Sequence, residues 1–245
     1  MIKILQSEWL KQKASADKKQ LVFVPFLAIF VAFLLVGPTL IESFSIYWWE
    51  AIFLVTLIGL LFLHDYKVEE KAGHFQNISL GKDTIKVYIA KMLLKIKDMV
   101  IASLCFLGIF YLEIHLFEGM IDVNLFNDLV CLLLMLLASI WVLPFLYVLS
   151  TWLNPYLLLV VNSLVCLLVA PFIAQTNVWY LFPYTYHYKV AQGLLHLKPS
   201  GDLESVIRGV DMATPILAVV LSVIVFIVFL ALLKWRLSHE QVFKK

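Results

Sequence analysis

Charge is scarce in this chain. Asp, Glu, Lys and Arg make up 15% of its 245 residues, against a hydrophobic share of 62% and a mean hydropathy of +0.93. Soluble domains usually carry about 25% charged and about 45–50% apolar residues, so a water-soluble globule is excluded. The net charge of +2 offers no electrostatic footprint for nucleic acid. Cysteine is sparse as well: Cys105, Cys131 and Cys166 all lie inside apolar runs, without CxxC or Cys/His spacing, and behave as small hydrophobes rather than as a disulfide framework or metal site.

Enzyme signatures are missing too. Gly81-Lys82-Asp83 has the tail of a phosphate-binding loop, but Gln76 occupies the place of its first glycine and Asp83 that of its magnesium-binding hydroxyl. His239-Glu240 lacks the second histidine of HExxH. No GxSxG occurs, and Ser103, Ser139, Ser163 and Ser222 lack a histidine partner at an obvious depth. Glu69-Glu70 falls in a basic loop rather than within an apolar run, which disfavours a membrane-embedded metalloprotease. The expectation is a chain with no catalytic residues, no metal and no ATPase site of its own.

What the sequence has is length of apolar run. A hydrocarbon core of about 30 Å takes roughly 20 helical residues to cross, and six segments qualify, at 21–41, 47–63, 99–117, 125–149, 155–173 and 214–233. None alternates with a period of two, so helices rather than barrel strands are predicted. All basic residues except Lys189, Lys198 and Arg208 fall before the first segment, between the second and third, or after the last. Basic residues flanking spans stay in the cytosol, which puts both termini and the 64–98 loop there. The predicted fold is an all-α polytopic membrane protein, a single domain over 1–245 with six transmembrane helices.

Residues 1–20 have no apolar core of a signal peptide and are expected to be retained. Ile2, Leu5, Trp9 and Leu10 recur at helical spacing among Lys3, Glu8, Lys11 and Lys13. This predicts an amphipathic helix in the inner interface, anchored by Trp9, in preference to a frayed basic tail. Gly37-Pro38 predicts a kink or end to the first span, and Asn154-Pro155 a clean start to the fifth.

Two loops are long. In the cytosolic one, 64–98, the helix breaks near Gly73 and Asn77, and a second helix is predicted from Asp83 with Ile85, Tyr88, Ile89 and Met92 on one face. Lys86, Lys91, Lys95 and Lys97 are expected to decorate it and to snorkel toward headgroups, with Asp98 pairing to Lys95. In the external one, 174–213, Trp179, Tyr180, Phe182, Tyr184, Tyr186 and Tyr188 form either an aromatic belt at the headgroups or short helices of an outer gate. Asp202 is expected to begin a further short helix through Val206 and Val210, after a turn at Pro199-Ser200-Gly201.

Glu50, Glu113 and Asp128 are acids within or at the ends of spans. Asp128 suits a helix N-terminus. Glu50 and Glu113 either line an outer vestibule that draws a cationic peptide or reach interfacial water.

The run Glu69-Glu70-Lys71-Ala72-Gly73-His74-Phe75-Gln76-Asn77-Ile78, followed by Ile85-Lys86 and Ala90-Lys91, resembles the loop after the second span in permease subunits of type-2 ABC exporters. It is most similar to that of the lantibiotic-immunity permeases of Gram-positive bacteria, the epidermin and mutacin immunity type. The resemblance implies a cytosolic coupling helix between spans two and three that inserts into a separate ATPase subunit, with Glu69, Glu70, Gly73, Phe75, Gln76 and Asn77 as the coupling residues. It implies two copies of the ATPase, which hold the ATP and magnesium, and a second permease, identical or paralogous. The function it implies is expulsion of an antimicrobial peptide from the bacterial cytoplasmic membrane. Glu50, Glu113, Trp179, Tyr184 and Tyr186 are the candidate substrate or gate residues. A stand-alone protein that sequesters the peptide, or an exporter of lipid or another drug, remains the alternative.

Overall fold

Glycine, asparagine and proline set the helix ends, as their backbone chemistry requires. The computed structural model describes residues 1–13, 16–71, 84–117, 124–203 and 211–243. Over these the chain is helical, its one β feature an isolated bridge between Leu197 and Leu203. Helix α1 is Ile2–Lys13 and α2 is Gln20–Val36. Gly37, at φ +68°, ends α2 by donating its N–H to the Phe33 carbonyl, and Pro38 follows. The next helix runs as α3 (Ile41–Trp48), a wide π turn (Trp49–Phe53) and α4 (Leu54–Lys71).

Helix α5, Thr84–Leu116, is continuous for 33 residues, so the predicted loop helix and third span are one rod. Asn124 caps α6 (Leu125–Ser139), its Oδ1 accepting from the Asn127 N–H. Pro144 denies the Ile140 carbonyl its helical donor, which separates α6 from α7 (Val142–Leu149). Asn154 caps α8 (Pro155–Leu168) with Pro155 in its first turn, as expected, and Pro171 marks the break before α9 (Ala170–Ala174). Two 3-10 turns lead into α10 (Tyr186–Leu195), and α11 (Ala213–Phe243) closes the described chain.

Among the described residues three helices are long and apolar enough to cross a membrane: Ile41–Lys71, Leu125–Leu149 and Ala213–Ser238. Gln20–Val36 and Pro155–Leu168 are apolar but shorter. The most apolar stretch is 67% buried in each of the first two but only 17% in the third, which sets α11 at the edge of the bundle. The core lies between α4, α5, α6 and α7, where Trp49 packs on Phe106 at 5.1 Å and Trp141 on Tyr184 at 4.9 Å. Helix α2 packs on α3 and α5, α4 on α8, and α10 on α6 and α11.

Span serines and threonines tie helices together. Thr56 meets Ser163 at 2.8 Å between α4 and α8, and Ser222 donates to the Leu137 carbonyl at 2.8 Å between α11 and α6. The external turn differs from expectation. The Lys198 N–H donates to the Asp202 carbonyl at 2.8 Å and Gly201 takes φ +93°, so Asp202 itself closes a tight turn. The rest of that expected helix, at Val206 and Val210, lies outside the described residues.

Candidate functional site

Helices α4 and α5 end and begin on either side of residues 72–83, and among the described residues a cluster of buried charges lies at these two roots. Asp65 and Glu69 sit four residues apart on α4 and therefore share a face. Lys91 on α5 reaches both: its Nζ lies 3.0 Å from Asp65 Oδ1 and 2.7 Å from Glu69 Oε1. A third carboxylate comes from α1, with Glu8 Oε2 at 3.1 Å from the same nitrogen. Lys11 then bridges the two elements, 2.8 Å from Glu8 Oε1 and 3.1 Å from Glu69 Oε1. Tyr147 on α7 completes the set by donating its hydroxyl to Asp65 Oδ2 at 2.8 Å.

Apart from Lys11 these groups are buried, with Lys91 only 1% exposed. Burial alone would push the Lys91 pKa down, but the facing carboxylates of Asp65, Glu8 and Glu69 outweigh it and hold the ammonium above its ordinary value. Lys11 is raised for the same balance of reasons, burial opposed by Glu8 and Glu69. An ion cluster of this kind adds little net stability over an apolar one, but removing one member strands its partners and costs about 3–5 kcal/mol. Geometry is what it supplies. A small cleft lined by Glu8, Lys11, His64, Asp65, Val68 and Lys91 opens beside it.

The cluster orients α1. Glu8 turns inward at 5% exposed, whereas Ile2 at 73%, Trp9 at 45% and Leu10 at 60% face outward. An interfacial helix needs that arrangement, its polar face held by protein and its apolar face left for lipid. The expectation that Lys91 and Lys95 decorate the helix surface is corrected: both are buried at 1% exposed, Lys91 because the acids of α1 and α4 pack over it. Asp98 pairs with Lys97 at 3.0 Å.

Of the expected coupling residues, Glu69 is drawn inward to Lys91 and Lys11, and Glu70, its neighbour, is exposed. Gly73, Phe75, Gln76 and Asn77 lie outside the described residues. Sequence reasoning passed over Glu8, Lys11, Asp65, Lys91 and Tyr147 as a set. Its only local trace is the Asp65-x-x-x-Glu69 spacing.

No protein-family model, curated protein or solved structure matches the chain.

At the opposite end of the bundle the structure gathers the other candidates. Trp179 is half-buried, while Tyr184, Tyr186 and Tyr188 are buried at 7%, 2% and 0% exposed, so these three tyrosines do not form a belt at the surface. Each spends its hydroxyl inside the protein: Tyr184 on Asn162 Oδ1 at 2.6 Å, Tyr186 on the Tyr180 carbonyl at 2.9 Å, Tyr188 on the Cys166 carbonyl at 3.0 Å. Tyr180 and Leu181, 46% and 71% exposed, face outward. Glu50 is fully buried in the π turn, Asp128 is buried in the first turn of α6, and Glu113 is half-buried near the end of α5. Among the described residues, no group of three or more His, Cys, Asp or Glu side chains is placed to hold a metal ion.

Proposed function

We propose that this chain is the membrane-spanning subunit of an ABC exporter that expels a lantibiotic or similar cationic peptide from the bacterial cytoplasmic membrane. In this reading it has six spans, both termini are cytosolic, and two ATPase subunits dock on the loop at 72–83. A second permease, identical or paralogous, completes the complex. ATP and magnesium belong to the ATPase.

The observation that carries this reading is the charge cluster at the roots of the loop. Lys71 ends one rod and Thr84 begins the next, so any push on the intervening residues reaches α4 and α5 together. Lys91 and Glu69 bind these rods to each other, and Glu8 and Lys11 bind both to the interfacial helix. A displacement at the loop is thus delivered to three helices as one body, which a power stroke borrowed from another subunit requires. Glu70 faces outward and Phe75 is the aromatic of the loop, the pairing expected to fill and orient in a partner's cleft.

Purification from native membrane should bring an ATP-binding subunit with the chain. Phe75→Ala and Glu70→Ala should each reduce peptide-stimulated ATP hydrolysis and resistance of the cells to the peptide. Retention of both complex assembly and resistance in these variants would defeat the docking assignment. Protection in cells that lack any ATPase partner would instead favour a protein that sequesters the peptide without turnover.

A further inference from the structure

Glu50 stands in the one π turn of the described chain, at the end of the bundle away from the charge cluster. The extra residue in that turn sends the Leu54 N–H back to the Trp49 carbonyl and rotates Glu50 inward. Its side chain is 0% exposed, and neither carboxyl oxygen has a hydrogen-bond partner among the described residues. A carboxylate left charged in such a place, without counter-ion or donor, costs several kcal/mol.

Among the described residues, the groups around it supply no positive charge. From α3 comes the Tyr47 phenol, from α6 the Cys131 thiol, which lies within electrostatic range of both Glu50 and Asp128. Helix α8 contributes Cys166, whose Sγ is 3.6 Å from the Glu50 carbonyl. Helix α10 contributes Tyr188 and His187, the imidazole Nε2 lying 3.4 Å from Cys166 Sγ. Burial holds the His187 pKa down to about 4, so that ring is neutral, and among the described residues its Nδ1 finds no partner, nor do the Asp128 side-chain oxygens. Helix α2 carries no titratable side chain between Gln20 and Val36.

We propose that Glu50 is a proton-binding site: its carboxyl, enclosed by the π turn and by α6, α8 and α10, holds an exchangeable proton that leaves when this end of the bundle opens to water. A proton is a positive ligand small enough to sit on a carboxyl that is 0% exposed. Opening would hydrate Glu50 and Asp128 together and release the proton, and reclosing would require its return. The site stands on burial and geometry alone, so its failure and that of the exporter reading are separate outcomes.

The test uses the full chain in liposomes with dicyclohexylcarbodiimide, an apolar reagent that adds to protonated carboxyls, followed by peptide mass mapping. Glu50 should carry the adduct at neutral pH, the labelling should fall as the medium becomes alkaline, and Glu50→Gln should lose it. Infrared spectra of wild type should show a protonated-carboxyl band that Glu50→Gln lacks. Absence of both adduct and band in the wild-type chain, which needs no variant, overturns the proposal. So does labelling of Glu50 by a water-soluble carbodiimide and an amine, the behaviour of an ionised group in a hydrated vestibule that draws a cationic ligand.

Discussion

Tyr147 donates its hydroxyl to Asp65 Oδ2 at 2.8 Å, joining positions 82 residues apart, while Asp65 Oδ1 receives Lys91 at 3.0 Å. Both oxygens of a buried carboxylate are thereby satisfied from two different helices. Tyr147→Phe keeps the edge-on ring contacts with Phe62 and Tyr88, each at 5.2 Å, and removes only the donor. A hydrogen bond to a charged group is worth about 1.5–3 kcal/mol, so the variant is expected to lose about that much stability. Thermal unfolding in detergent measures it, and an unchanged midpoint would mean the hydroxyl is not committed to Asp65.

Lys91→Met should cost more, about 3–5 kcal/mol, because it removes the buried cation shared by Glu8, Asp65 and Glu69 and leaves Glu8 and Glu69 only the half-exposed Lys11 and Asp65 only the Tyr147 hydroxyl. Adding Asp65→Asn and Glu69→Gln should return part of the loss, since the stranded charges go with the lysine. The readout specific to the clasp is hydrogen exchange over Ile2–Lys13, which should speed up in the single variant. The pH dependence has a definite sign. The folded pKa of Lys91 lies above that of an unfolded lysine, about 10.4, so its contribution is full below that value. It is lost only as the pH rises through the higher, folded one. Protection of α1 should therefore stay flat from neutral pH up to about 10 and fall only beyond it.

The apolar runs, the proline and asparagine boundaries and the outward stripe of α1 could be read from the residues alone, because each depends on neighbours within one or two helical turns. Asn154-Pro155 starts α8, and Gly37-Pro38 ends α2. The charge cluster could not be read this way. Lys91 owes its burial to acids 22, 26 and 83 positions away, and a lysine destined for such partners has the same local spacing as one bound for solvent. For the same reason Tyr184, Tyr186 and Tyr188 read as an interfacial belt, whereas their hydroxyls find acceptors on α8 and in the preceding turn. Glu50 was legible as an acid in an apolar run, but its π turn was not, since that register shift comes from packing rather than from a motif.

Gly193 is where α10 meets the start of α11. A Cβ there would lie 2.7 Å from the Asp211 carbonyl oxygen and 2.6 Å from Pro215 Cγ. Neither backbone nor a proline ring can swing aside, and the Gly193 carbonyl also accepts the Asp211 N–H at 3.1 Å. Gly193→Ala should therefore destabilise by about 1–3 kcal/mol through forced separation of the two helices. At Gly59 the new Cβ would meet the Leu159 Cδ1 methyl at 2.5 Å, the far end of a side chain that can change rotamer. Gly59→Ala should be the milder of the two, and unfolding midpoints measured side by side decide the order.

Under the proposed exporter function Tyr184 is either a residue that touches the peptide or a strut, and the two roles separate experimentally. Its hydroxyl donates to Asn162 Oδ1 at 2.6 Å, Asn162 Nδ2 reaches the Val55 carbonyl at 3.4 Å, and the ring stands edge-on to Trp141. Tyr184→Phe leaves the buried Asn162 carbonyl without a donor and should cost about 1–3 kcal/mol. Asn162→Leu alone strands the hydroxyl instead, whereas the double variant strands neither and should be more stable than the sum of the single losses predicts. A strut accounts for all of this with no change in the peptide concentration that half-saturates stimulated ATP hydrolysis. If Tyr184→Phe shifts that concentration while the unfolding midpoint holds, the proposed transport cycle turns the hydroxyl toward the peptide and the bond to Asn162 belongs to the resting state only.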